Sequence, residues 1–315
     1  MSEIAVTEEK KIALPAQGFT QDALESLSAS RDEPSWLLEK RYEGWYHYQE
    51  MEAPFWRRTD LRKLKWEELI PYAPPQAPGA DLEAMPPKLR NALAVYGQRA
   101  GLKVQRDSSQ VHVDLADEIR AQGVIWTDME TAVREHPDLV KRYFMGEAVP
   151  ATTDKHTALH AAFWAGGTFL YVPKNVRVEL PFVAVLWQEM PSLAIMAPTV
   201  LVAESGSEVT LVSELLSMGC DACPTTYFGG VTELYVGDGA RVQFINTQDL
   251  GRHVYDLRSQ TALLDRDSRL EWLTVNLGGR LSRSTQHSIM RGPGAEAKVT
   301  GLYLPDGRQH FAYHT

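Results

Sequence analysis

Two periodicities divide the chain. Through the first third, apolar positions recur three and four residues apart, as in Gln21-Asp22-Ala23-Leu24-Glu25-Ser26-Leu27, the spacing of a half-buried helix. Ser30-Arg31-Asp32-Glu33 has the form of a capping box, and Pro34 follows in the first turn, where its missing N–H is harmless. The helix predicted there continues through Trp36, Leu37 and Arg41 into the aromatic run Trp45-Tyr46-His47-Tyr48. Glu43, Glu50 and Glu52 surround that run, which favours packing at the edge of a helical region over a base-stacking platform. Pro71 to Gly79 and Pro86-Pro87 cannot continue a helix and read as an extended spacer. Thr127-Asp128-Met129-Glu130 is a second capping box, opening a helix to about Glu135. His136-Pro137-Asp138 restarts a helix through Leu139, Val140, Tyr143 and Phe144, with Gly146 at the C-cap position.

From about Gly166 the helical period does not return. Phe169–Val172, Val176–Leu180, Val183–Leu186, Val200–Val202 and Val209–Val212 are short β-rich runs separated by Gly, Pro, Asn or Ser. A turn plan also recurs in Ser205-Gly206-Ser207-Glu208, Gly237-Asp238-Gly239-Ala240, Arg266-Asp267-Ser268-Arg269 and Gly292-Pro293-Gly294-Ala295, each leading into a strand. The apolar anchors after these turns, Val209, Val242, Leu270 and Ala297, are 33, 28 and 27 residues apart. That spacing suggests a solenoid, in which each coil buries its face by stacking on the next; a large β-sandwich is the alternative. The expected organisation is a helical region over 1–70, a proline-rich linker over 71–90, a mixed helical region over 91–160 and a β-solenoid over 161–315. The fold class is mainly β with a helical N-terminal region.

Composition narrows the function. The formal charge is -9, from 32 basic and 41 acidic residues, the wrong sign for coating phosphate backbones. Two cysteines, Cys220 and Cys223, cannot make a disulfide framework. The first residues mix acids and bases without an apolar core of signal-peptide length, and the longest apolar stretch, Leu193 to Ala203, is half a bilayer span and carries Pro198. A cytoplasmic protein that engages neither nucleic acid nor membrane is expected. No Walker loop, nucleophile elbow or dinucleotide fingerprint is present, so any ATP used must be bound by a partner.

The candidate chemistry is sparse. Cys220-Asp221-Ala222-Cys223 could grip one soft metal ion with both thiolates, but a closed site needs four ligands, so this is half a site, a redox pair or a plain loop. His156 and His160 are four apart and share a helix face; with no Glu after His156 the metalloprotease motif is unmet, and a helix-surface role is expected. His310 and His314 are also four apart and fall on one face of a strand, as half a metal site or as the edge of a coil. Asp265 and Asp267 are either an acid pair of a β-helix carbohydrate-active enzyme or turn formers.

Several segments together resemble the SufB/SufD proteins of the SUF iron–sulfur cluster assembly system. They are Ser30 to Glu39, Gly123 to Pro137, Ala165-Gly166-Gly167-Thr168-Phe169-Leu170-Tyr171-Val172-Pro173-Lys174-Asn175-Val176, Gly237 to Arg241, and Gly301-Leu302-Tyr303-Leu304-Pro305-Asp306-Gly307-Arg308-Gln309-His310, in the family's order. The resemblance implies a helical N-terminal region, a right-handed parallel β-helix core and a C-terminal helical domain, which this chain lacks because it stops at Thr315 in mid-solenoid. It further implies a non-enzymatic scaffold, a heterodimer with a SufB-like paralogue or a pairing with itself, a SufC-like ABC ATPase, and an iron–sulfur cluster held transiently at the subunit interface. Two features depart from the family or fail to fix a role. Ala312 stands where the family tends to hold aspartate, and Cys220 lies near a position where SufB members often carry cysteine, in surroundings that do not assign it a role. With so few cysteines the likeness leans to SufD. Cys220, Cys223, His310 and His314 are the candidate cluster ligands.

Overall fold

The structure, a computed structural model, describes residues 15–315 apart from 77–78, 80–81, 83–84 and 219–222. Cys220 therefore lies outside the described residues. Helix α1 (Gln21–Ser30) is capped by Thr20, whose hydroxyl accepts from the Ala23 N–H, and buries Leu24 and Leu27. Helix α2 (Ser35–Glu50) starts after Pro34 with no side-chain cap, so the capping box predicted at Ser30 does not form. Helix α1 already includes Ser30, whose hydroxyl turns back to the Leu27 carbonyl at 2.7 Å, while an N-cap needs an extended backbone. Glu33 instead grips Arg41.

Helix α3 (Pro87–Val95), strands β1 (Gly101–Arg106) and β2 (Ser109–Leu115), helix α4 (Asp117–Arg120) and strand β3 (Ile125–Thr127) follow. Helix α5 (Met129–Glu135) is capped by Asp128 and not by Thr127, as the Asp128 carboxylate accepts from the Glu130 and Thr131 N–H groups. This frees Glu130 to accept from Arg31 at 3.0 Å and from the Gly166 N–H at 2.9 Å, tying three segments together. Helix α6 (Pro137–Tyr143) ends with Met145, not Gly146, in the left-handed region at φ 50°. Helix α7 (Lys155–Phe163) opens on a true capping box between Asp154 and Thr157. The proline-rich segment is pinned where it is described: Tyr72 and Ala73 are buried, and Ala73 bonds the Ser108 hydroxyl and the Arg31 guanidinium.

The remainder is strand: β4 (Thr168–Val172), β5 (Phe182–Gln188), β6 (Ala194–Ile195), β7 (Pro198–Ala203), β8 (Glu208–Ser217), β9 (Thr226–Val236), β10 (Arg241–Asp249), β11 (Val254–Leu264), β12 (Arg269–Asn276), β13 (Leu281–Met290), β14 (Glu296–Tyr303) and β15 (His310–His314). The run at 176–180 forms only an isolated bridge, Arg177 to Glu208. One sheet has the order β14-β12-β10-β8-β5-β1-β2 and the other β15-β13-β11-β9-β7-β4-β3. From β7 onward successive strands alternate between the sheets, and every neighbour from β4 to β15 is parallel. Two sheets do face each other, but as the two sides of one continuous coil, so the fold is a parallel β-solenoid. The sequence anchors meet in register: Val209 pairs with Val242, Val242 with Leu270, and Leu270 with Ala297. Strands β1 and β3 join the same two sheets, β1 parallel to β5 and β3 antiparallel to β4.

Each sheet is covered outside as well as inside. Helices α1, α2 and α7 lie over Phe169, Val200, Tyr227, Tyr235 and Leu257 of the second sheet. Leu89 of α3 covers Leu102, Val104, Val185 and Trp187 of the first. Helices α2 and α7 approach so closely at Gly44 that a Cβ there would lie 2.9 Å from the Ala162 amide nitrogen. Among the described residues no helix is long and apolar enough to cross a membrane.

Candidate functional site

Strand alternation sends every second side chain between the two sheets. Toward one edge that interior is apolar, built on Leu201, Leu211, Leu234, Val242, Phe244 and Trp272. Alongside runs a polar seam along the rod. In the first sheet the register aligns Lys103, Ala184, Ser213, Asn246 and Thr274. In the second it aligns Thr168, Thr199, Thr232, Gln260 and Gln286. Asn246 donates to Gln260 across the gap at 3.1 Å, and Gln260 to Ser284 at 2.6 Å. One row further on, Arg258 donates to Asp256 at 2.9 Å and to Asn276 at 2.7 Å, and Ser282 donates to Asp256 at 2.9 Å.

A cavity of about 30 Å³, room for one water-sized species, is lined by Lys103, Thr168, Ser213, Thr232, Asn246 and Arg258 among others. Burial pulls the Lys103 ammonium down to about 8, against the pull of Asp128 and Glu130. Burial likewise raises the Asp256 carboxyl, opposed by Arg258. Among the described residues Arg258 Nε and Nη1 meet no acceptor, and Asn276 and Gln286 each keep a side-chain nitrogen so. The seam is therefore rich in hydrogen-bond donors and in hydroxyls. In sequence the seam is hidden, because Lys103 and Gln105 alternate with Leu102 and Val104 in the manner of a solvent face. Only a second sheet across from them turns that face inward. The signal available was polar residues at every second position of consecutive strands, as in Ser213, Asn246 and Thr274.

The sequence candidates fall elsewhere. Cys223 is half-buried between β8 and β9. Val209 to Thr232 spans five residues more than Val242 to Gln260, the equivalent stretch one coil on. Cys223 thus sits in the corner that makes the 33-residue coil long. His310 and His314 lie on β15; the His310 ring is 3.4 Å from the Thr59 hydroxyl, and the Arg283 guanidinium is 2.9 Å from the His314 Nε2. Four residues of strand separate the two imidazoles by roughly 13 Å, beyond the reach of one metal ion. His310 shares its register row with Leu281, Tyr255 and Tyr227, so the cysteine corner before Tyr227 is three rungs away, roughly 14 Å along the rod. Among the described residues no three His, Cys, Asp or Glu side chains gather as metal ligands.

The helix-surface role expected for His156 and His160 is overturned. Helix α7 is wedged between α2 and the second sheet, so its histidines face protein. His160 is 1% exposed with Nδ1 at 2.7 Å from the Gly229 carbonyl, and His156 stacks on Trp56 and Trp66 at 5.4 and 5.6 Å. Burial lowers both imidazoles to about 4. Asp265 and Asp267 are corner residues: Arg291 binds Asp265 at 2.8 Å, and Asp267 holds the left-handed turn at φ 55°. Trp45 packs edge-on against Phe163, as expected of a helical edge.

Comparison with known proteins fits this architecture. The SufBD core domain of the SUF iron–sulfur cluster assembly system matches residues 187–315, and the SufBD N-terminal region matches residues 108–183. The chain is 32% identical to the iron–sulfur cluster assembly protein SufD of Bacillus subtilis, over 92% of this chain and 67% of the relative. It is 26% identical to SufB of the same organism, over 93% of this chain and 64% of the relative. A SufBD family protein of Staphylococcus saprophyticus is 26% identical, with 94% of this chain and 64% of the relative covered. The chain thus spans about two thirds of the length of these relatives. With the stacked rungs, the helical N-terminal cover and both matched regions in order, the chain belongs to the SufB/SufD family of SUF-system iron–sulfur cluster assembly proteins.

Proposed function

We propose that this chain is a scaffold subunit of an iron–sulfur cluster assembly complex. It pairs with a SufB-like paralogue or with a second copy of itself, and works with a SufC-like ABC ATPase that supplies the nucleotide site. The cluster is cargo, held transiently at the subunit interface, and the site of action is the cytoplasm, where thiols stay reduced. One observation carries this reading: the in-register stacking of Val209, Val242, Leu270 and Ala297. Rungs locked in register hold side chains from separate coils at fixed separations, as sparse cluster ligands require. The ligands we nominate are Cys220 with Cys223, His310, and His314, each too far from the others to share one ion and each therefore completed by side chains of the paired subunit. The rival, a β-helix carbohydrate-active enzyme, needs paired carboxylates along a groove, and Asp265 and Asp267 are instead committed to a corner.

Anaerobic reconstitution of the chain with a SufB-like paralogue and a SufC-like ATPase tests the proposal. The expected complex retains iron and sulfide in stoichiometric amounts, and loses them when Cys220→Ser/Cys223→Ser or His310→Ala/His314→Ala is introduced. A complex that forms but holds no more iron than the paralogue alone refutes the scaffold. Cleavage of an oligosaccharide supports the rival.

A further inference from the structure

A Gly-Arg pair recurs in this chain at 251–252, 279–280 and 307–308, a spacing of 28 residues. Each pair falls in a corner leading from the first sheet into a strand of the second, before β11, β13 and β15. These corners are stacked by backbone hydrogen bonds, Arg280 N–H to the Val254 carbonyl and His310 N–H to the Arg280 carbonyl, at 2.8 and 3.1 Å. Three arginines therefore stand in successive corners along one edge of the rod, at slightly different places in each corner.

They form one wall of a groove of about 880 Å³, and Arg58 and Lys63 stand on the other. The anions at hand are already taken: Asp60 by Arg62 at 2.8 Å, and Asp306 by Arg252. Arg58, Lys63, Arg280 and Arg308 are exposed and make no ion pair among the described residues. Such a run of cations in a chain of net charge -9 is a local field of the opposite sign to the whole molecule.

We infer that this groove docks an extended acidic segment of a partner polypeptide. Arginine forks bind carboxylates two-pronged, and an extended segment with acidic residues on one side can present several of them along the groove. A single-stranded nucleic acid needs free aromatic faces for its bases. In the adjoining hollow Trp56 stacks on His156 at 5.4 Å and carries the Arg283 guanidinium at 4.1 Å, Trp66 packs on His156 and Tyr227, and Tyr48 stacks on Trp45, so Phe55, 91% exposed, is a single free face among the lining aromatics and not a platform for successive bases.

Fluorescence anisotropy at low salt, with a fluorescein-labelled (Glu-Ser)5 peptide as probe, tests the inference on the full chain. The expected result is binding that Arg280→Glu/Arg308→Glu weakens by about tenfold or more. Arg58→Gln/Lys63→Gln, from the opposite wall, should weaken it as well, which keeps the test decisive if the first variant folds poorly. Lys174→Glu/Arg177→Glu makes the same charge change at exposed positions on the other edge of the rod and should leave binding unchanged. Equal losses in that control, no binding at millimolar peptide, equal binding of (Gln-Ser)5, or tighter binding of oligouridylate would each overturn it.

Discussion

Arg41 ties the N-terminal helices to the start of the solenoid. Its guanidinium binds Glu33 through two contacts, at 2.7 and 2.6 Å, donates to the Ala162 and Trp164 carbonyls at 2.9 Å each, and lies 4.7 Å over the Trp164 ring. The two side chains are 1% and 4% exposed. Arg41→Met keeps the apolar stem but strands the Glu33 carboxylate and two carbonyls in a dry site. Breaking a buried pair from one side costs about 3–5 kcal/mol, a large part of the roughly 5–15 kcal/mol that holds a domain together. In urea, with a slope near the upper end of about 1–3 kcal/mol/M, the midpoint should fall by roughly 1–2 M, followed by tryptophan fluorescence. Arg62 and Asp60 offer the control: the pair has the same two-pronged shape but is 89% and 50% exposed, so Arg62→Met should leave the midpoint in place. Adding Glu33→Gln to Arg41→Met should recover part of the loss by removing the stranded charge. Equal shifts for Arg41→Met and Arg62→Met, or a further loss on adding Glu33→Gln, would refute the reasoning.

Three more outcomes follow from packing and titration. Gly44→Ala puts a Cβ 2.9 Å from the Ala162 amide nitrogen and 3.0 Å from the Ala158 carbonyl, so α2 must lift from α7; a thermal melt should show a loss of about 1–3 kcal/mol. The unfolded chain protonates His160 near 6.5 and the folded one only at about 4, so stability should fall as pH drops through that window, by up to about 3 kcal/mol. His160→Asn, which keeps a donor for the Gly229 carbonyl, should flatten that slope in urea midpoints taken at several pH values. Trp272→Ala empties the interior beside Phe244 and should cost about 3–5 kcal/mol, while Glu271→Ala, on the exposed side of the same strand, should cost nothing measurable.

The solenoid was legible because its corners repeat: a tight polar turn before Val209, Val242, Leu270 and Ala297 is a local signal, and the register follows from it. Helix existence was legible for the same reason, through apolar spacing, but caps were not. Ser30 and Thr127 carry cap-forming side chains, yet Ser30 already belongs to α1, and Asp128 is extended where Thr127 belongs to β3. The buried face of α7 and the polar seam were hidden because each depends on what lies opposite. Ala158, Ala161 and Ala162 beside His160 read as a weak, small-residue surface until Gly44 of α2 closes on them. Lys103 reads as solvent-exposed until β1 becomes the floor of a two-sided coil.

The strand register also fixes where this chain can change length. Removing a single residue from a rung would turn every following inward side chain outward, exposing Val242 or Trp272 and burying Glu271. Corners carry no such constraint, as the extra residues before β9 show against the shorter corner before β11. Evolutionary novelty in such a molecule is therefore channelled to its bends, where a new loop can be tried without disturbing the ladder, and Cys223 occupies one such place.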